Sequence, residues 1–294
     1  MQNTITKTFS NNKSFTSPFV KNNNIIFLQN IETKLQEIFD EELNSDKSIL
    51  INVSQGTIKK LAMFISGYKM RACSIGVAGE TASGKSTITL DIIDTIEQFA
   101  NHYKINNAVA RINTDDYYYD RSEMVNEAGS FAEFAKNYDL DVPEALELKL
   151  MSKHIKSLLN GETVYLPQYD MSGTAIRKDD VLETNPSKIV ISEGLFTLND
   201  DVVEAFDFKI FVDVSVLAQK ERFYKRAVER NLGDSSDEVY KNASSKAKIH
   251  IHPTASKADI ILSGEADRKA YKKFINKILA LVEEIHYSNL AINF

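Results

Sequence analysis

A chain of 294 residues, 43% hydrophobic and 26% charged, can bury a sizeable core as one large domain or two modest ones. Its net charge of −6 argues against a dominant nucleic-acid or anionic-membrane surface, so any anionic ligand must be held by local geometry. No stretch approaches the ~18 consecutive apolar residues of a membrane span, and the one cysteine, Cys73, lies in an apolar run, which excludes a disulfide framework and fits a reducing, cytoplasmic setting for a soluble chain.

The first 31 residues lack Asp and Glu and carry no arginine and no continuous apolar core. Residues 1–25 therefore read as a flexible tail, with an organelle-targeting segment as the lesser alternative. Leu28, Ile31, Leu35, Ile38 and Leu43 recur at helical spacing, and Ile58, Leu61, Phe64 and Ile65 do so again after the short apolar run "SILINVS". Residues 26–69 are expected to form an N-terminal helical extension. From about residue 70 short strands alternate with longer helices: strands at 72–78, 107–113, 188–192, 208–214 and 259–262, and helices at 86–100, 143–159, 216–230 and 267–284. Strands with no exposed-buried alternation between helices predict an α/β fold, a mostly parallel sheet covered on both faces. This domain is expected over 70–285, with a short tail at 286–294.

Residues 79–86, "GETASGKS", match the phosphate-loop pattern GxxxxGK(S/T), with a strand before them and an amphipathic helix starting within them. Gly79 and Gly84 would let the backbone curl so that its N–H groups point at an anion, and the helix adds its positive end. Gly79, Glu80, Thr81, Ala82, Ser83, Gly84, Lys85, Ser86 and Thr87 are thus the expected nucleotide-binding loop, with Lys85 reaching the β and γ phosphates and Ser86 ligating Mg²⁺. A plain glycine turn would explain the glycines but not Lys85 and Ser86 together.

Such a loop does not choose between a switch, a motor and a kinase. "INTDDYYYDR" puts paired acids and three tyrosines at the carboxyl end of the next strand, where ligands sit in open α/β sheets. Transfer to a hydroxyl needs a carboxylate to accept its proton, so Asp115 is the candidate base, with Tyr117 and Tyr118 as walls of an acceptor pocket. From this segment alone Asp116 serves as well, and a solvated acidic turn fits too. Glu193, ending the strand in "IVISEGLF", is placed to hold Mg²⁺ or orient the attacking hydroxyl. Arg222, Arg226 and Arg230 share one helix face, where they could close over phosphates or pair with Glu221 and Glu229. Asp141 before Pro143 reads equally as a helix N-cap.

With these segments in order, the chain resembles the uridine kinase and phosphoribulokinase family, most closely its uridine kinases. "GETASGKST" is similar to the family loop GxxASGKS, and "TDDYYYD" to its QDSYY-like segment, which implies that Asp115 rather than Asp116 is the base. "LDVPEALE" (140–147) resembles an FDHPDAFD-like segment and implies a ribose-binding Asp141. "LPQYDMSGTAIR" (166–177) resembles the segment that contributes Tyr169 to the base pocket. "KIFVDVSVLAQKERFYKR" looks like the strand and arginine-rich lid helix, and "HPTASKADIIL" like the closing EPTKKYADIII strand. The resemblance implies catalytic roles for Lys85, Asp115 and Arg226, and acceptor contacts at Asp115, Tyr118, Asp141, Tyr169 and Arg222. It also implies Mg²⁺ at Ser86 and Glu193, with ATP as phosphate donor.

The acceptor segments depart from the family pattern. "DMSGTAI" holds no histidine where uridine kinases place the one that reads the pyrimidine edge, Val142 replaces another histidine, and Phe223 stands where an acceptor-contacting arginine is expected. The five histidines, at 102, 154, 250, 252 and 286, lack metal-ligand spacing and read as structural or surface residues. The expected activity is transfer of the γ-phosphoryl group of ATP to the 5′-hydroxyl of uridine or cytidine. The alternatives are a sugar phosphate or other small alcohol as acceptor, or a non-catalytic ATP-binding regulator. A small-molecule partner is expected, with no nucleic acid or membrane, and a homo-oligomer is left open.

Overall fold

The structure, a computed structural model, describes residues 18–178, 181–229 and 233–287. Arg230, most of the expected N-terminal tail and residues 288–294 lie outside them. The chain runs α1 (Pro18–Leu43), β1 (Leu50–Val53), α2 (Thr57–Ser66), β2 (Cys73–Gly79), α3 (Lys85–His102) and β3 (Val109–Asn113). Then come α4 (Ser122–Ala128), α5 (Phe131–Asn137), α6 (Leu148–Leu159), β4 (Val164–Leu166), β5 (Leu182–Thr184), β6 (Ile189–Gly194) and β7 (Phe208–Asp213). The last elements are α7 (Val216–Glu229), α8 (Ser236–Lys246), β8 (Ile260–Ser263) and α9 (Arg268–His286).

Six strands form one sheet in the order β1-β8-β7-β2-β6-β3, parallel except for β1. The inner strands β2 and β6 are buried along nearly their whole length, which is why their sequences show no alternation. One face packs against α6, whose Met151, Ile155 and Leu158 meet Ile112, Val190 and Phe196. The other carries α3 and α9 with α1 and α2 beside them, through Ile88, Ile92, Leu35, Phe39, Ile65 and Phe274. Among the described residues no helix is long and apolar enough to cross a membrane.

Two segments differ from the sequence expectation. Within the stretch expected to be helical, "SILINVS" supplies β1, which pairs antiparallel with β8 (Leu50 opposite Leu262, Val53 opposite Ile260). Leu35 and Phe39 of α1 are 0% and 1% exposed, so these residues belong to the core. Leu35→Ala is expected to cost about 2–5 kcal/mol, read as a lower urea midpoint; a loss under about 0.5 kcal/mol would show that α1 does not pack there in solution. The helix expected from Pro143 is a single 3-10 turn, Pro143–Ala145, followed by α6 five residues late. Leu146 is extended (φ −120°, ψ 150°), bridging to Tyr118, and the Glu147 N–H donates to the Tyr117 carbonyl. The chain therefore gives up helical bonding there to clamp the turn that follows β3.

Candidate active site

Parallel strands deliver their carboxyl ends to one edge, and β2, β6 and β3 are consecutive neighbours, so the residues just beyond them are brought together. β2 leads into the glycine-rich loop, β6 ends in Glu193, and β3 leads into a 3-10 turn, Thr114–Tyr117, that carries Asp115. Glu193 lies opposite Val77 on one side and Asn113 on the other. The ends of these strands thus bring Lys85, Glu193 and Asp115 to one edge of the sheet.

The electrostatics record this convergence. Burial pulls the Lys85 ammonium below the usual lysine range, while Asp115, then Glu193 and Glu80, oppose that by attraction and Arg226 adds repulsion. Asp115 contributes the largest attraction, which puts its carboxylate in the neighbourhood of the lysine. The neighbouring acid is occupied elsewhere: Asp116 Oδ1 accepts the Tyr169 N–H at 3.3 Å, and burial raises its pKa. Of the two acids left open by spacing, Asp115 is the one at the loop. The buried Glu193 accepts from Ser86 Oγ at 2.8 Å through Oε2 and from Arg111 Nη2 at 2.8 Å through Oε1. Ser86 and Glu193 thus share one spot at the start of α3.

The loop itself closes on Gly84, whose φ of +98° an L side chain would resist, and on Ala82 at φ 61°. Gly79, expected to share that curl, ends β2 instead. Lys85 Nζ donates back to the Glu80 carbonyl at 3.3 Å. Beside the loop Gly84 and Thr87, with Arg222, Lys225, Arg226, Glu229 and the Asp91-paired Arg268, line a cleft of about 390 Å³ with an excess of cations. Arg222, grouped from sequence with the acceptor contacts, lines this cleft: its guanidinium donates to the carbonyls of Ser83 (3.3 Å) and Gly264 (3.0 Å), because α7 lies along the loop.

A separate cleft of about 580 Å³ brings together Tyr118, Asp141 and Tyr169 with Phe131 and Tyr138. The Tyr118 and Tyr169 rings lie 5.2 Å apart, and the Tyr118 hydroxyl donates to the Leu140 carbonyl. Tyr117 is not a wall of this cleft: it is fully buried in the core and bonded to His154 Nδ1 at 2.9 Å, because a 3-10 turn sends successive side chains to different sides. Asp141 caps no helix, since α6 begins at Leu148 behind Glu147. Burial, with Asp139 adding repulsion, raises its carboxyl above the ordinary aspartate range.

Several site residues went unread. Arg111 is a charged residue in the short strand "VARIN", a signal that was available. Val239, Asn242 and Lys246 reach the cleft of Tyr118 and Tyr169 from α8, and Lys246 pairs with Asp139; nothing near them in sequence marks that position. His252, a structural or surface residue by its spacing, contacts the Glu80 carboxylate of the loop.

A family model described as "Phosphoribulokinase / Uridine kinase family" matches residues 74–270. A protein named uridine kinase from Halobacterium salinarum is 32% identical over 219 residues, 72% of this chain and 89% of that one. Another so named, from Halalkalibacterium halodurans, is 32% identical over 221 residues, 73% of this chain and 97% of that one. Among solved structures, a D-glycerate 3-kinase from Cryptococcus neoformans covers 82% of this chain and 96% of its own at 13% identity, with a TM-score of 0.47.

Proposed function

The chain belongs to the phosphoribulokinase / uridine kinase family and is a phosphotransferase with a hydroxyl group as acceptor, and we propose that it moves the γ-phosphoryl group of ATP to the 5′-hydroxyl of a pyrimidine nucleoside. The observation that carries this reading is the opposite character of the cleft beside the loop and the cleft lined by Tyr118 and Tyr169. The donor side gathers Arg222, Lys225, Arg226 and Arg268, which suits a triphosphate. The acceptor side carries three aspartates, 139, 141 and 170, against two lysines, 136 and 246, and a wall of aromatic rings. A sugar phosphate would meet net like charge there, whereas an uncharged ribose with a planar base would find carboxylates for its hydroxyls and rings to stack on.

Asp115 accepts the proton of the hydroxyl and aligns it, Lys85 and the loop amides hold the phosphates, and Arg226 screens the charge that spreads over the moving group. Asp141 positions the ribose. The donor set at Ser86 and Glu193, a hydroxyl and a buried carboxylate 2.8 Å apart, fits Mg²⁺, which takes few protein oxygens and keeps the rest of its shell for water and phosphate. When bound, the ion would neutralise phosphate charge.

A panel of acceptors with labelled ATP tests the reading: transfer to uridine or cytidine is expected, and transfer confined to sugar phosphates would overturn it. Acidification supplies a second check. Because the Asp141 carboxyl holds its proton to higher pH than an ordinary aspartate, the acceptor KM should climb as pH falls toward that raised pKa, and Asp141→Asn should show a high KM with that climb removed. A KM equally pH-dependent in the variant would release Asp141 from this role.

A further inference from the structure

The loop and α7 are joined residue by residue. Gln219 Nε2 donates to Glu80 Oε2 at 3.1 Å and to the Thr81 carbonyl at 3.2 Å. Ala82 packs against Phe223 and Ala227, and Ser83 takes Arg222. Residues 219, 222, 223, 226 and 227 form one face of the helix, so four consecutive loop residues lie on the same face that carries Arg226. Gln219 is 3% exposed, and its carbonyl accepts from the Tyr240 hydroxyl at 3.0 Å, extending the contact to α8. His252 completes the grip on Glu80. A carboxylate only accepts, so His252 Nε2 carries the proton it donates to Oε1.

Glu80 is an odd residue for this position, since a carboxylate in the loop opposes the anion the loop is built to hold. The family segment resembled by "HPTASKADIIL" begins with Glu, which when ionised could not donate to Glu80. Glu80 is thus held from two sides, by His252 at Oε1 and Gln219 at Oε2. We propose that His252 and Gln219 are positioning residues that clasp Glu80. The clasp fixes α7, and with it Arg226, against the phosphate loop, and it draws the Glu80 charge away from the bound triphosphate. This rests on the kinase reading for its rate arm but not for its binding arm.

Four full-length proteins besides the parent test it: His252→Ala, His252→Gln, Glu80→Ala and the double variant His252→Ala/Glu80→Ala. Each is assayed for kcat and, separately, for the Kd of a non-hydrolysable ATP analogue by calorimetry. The side chain of His252 is 46% exposed, so folding should survive its replacement. In His252→Ala the released carboxylate should weaken analogue binding roughly five-fold and the loosened helix lower kcat roughly ten-fold, since only interactions made in the transition state act on kcat. His252→Gln, which keeps a donor, should stay near the parent. In the double variant, as in Glu80→Ala, affinity should return while kcat stays low, a split that simple loss of structure would not produce. Parent-like kcat and affinity in His252→Ala would overturn the proposal, as would a double variant whose affinity is no better than that of His252→Ala. A parent chain that binds the analogue but transfers to no acceptor would end the kinase reading, and the affinity pattern would still decide for or against the clasp.

Discussion

Asp115→Asn is expected to lower turnover by roughly 10²- to 10⁴-fold while leaving ATP affinity nearly unchanged. The amide is nearly isosteric and can still receive the hydroxyl's hydrogen bond, but it cannot take up the proton. Affinity persists because the triphosphate is held elsewhere, by Lys85, the loop amides and the cationic cleft beside α7. Removing the Asp115 charge also removes the largest attraction that keeps Lys85 protonated. The Lys85 pKa should then fall further, so any weakening of nucleotide binding should appear first at alkaline pH. Single-turnover rates with saturating acceptor, set beside calorimetric titration of an ATP analogue, separate the two effects. Turnover within about three-fold of the parent, well short of the general-base range, would show that the proton leaves by another route.

What could be read from the sequence was what local chemistry encodes. Lys85 and Ser86 follow a strand and open a helix, and that spacing alone brings a lysine and a hydroxyl to a triphosphate. Glu193 was legible for a similar reason, as an acid ending an apolar run with no local partner. The choice between Asp115 and Asp116 was open in the residues, and family resemblance pointed to Asp115. The turn geometry separates the two acids: Asp116 accepts from the Tyr169 backbone, and Asp115 is the stronger attraction on Lys85. The contacts of Arg222 with the Ser83 and Gly264 carbonyls were not legible, because helical periodicity says which residues share a face but not what the face lies on. The clasp on Glu80 and the contribution of α8 to the acceptor cleft depend on pairs far apart in the chain, and composition around Gln219, Asn242 or His252 carries no trace of them. The strand within the N-terminal extension was hidden between two strong helical patterns, its four residues too short for period-two alternation to show.

Gly264→Ala should weaken nucleotide binding by on the order of 10²-fold or more, by steric means. This glycine follows β8 in "ILSGEAD", and an ordinary Cβ on it would stand 2.0 Å from the Ser83 carbonyl oxygen and 3.1 Å from that of Asp213. Both obstacles are backbone, so no rotamer change relieves them. Gly264 cannot easily retreat, since its N–H is bonded to the Asp213 carbonyl at 2.6 Å and its own carbonyl receives Arg222. The phosphate loop must therefore yield, moving Ser83 away from Arg222 and disturbing Gly84 and Lys85 next to it. Displacement of a binding loop by about 1 Å is enough to cost on the order of 10²-fold, and overpacking adds about 1–3 kcal/mol of destabilisation. ATP-analogue affinity and turnover should fall together by at least that factor, with the cooperative thermal transition kept at a lower temperature. Asp115→Asn should lose turnover and keep affinity, so the two variants divide gripping the donor from moving its phosphoryl group. Parent-like affinity in Gly264→Ala would mean that the loop does not rest on this glycine when it holds nucleotide.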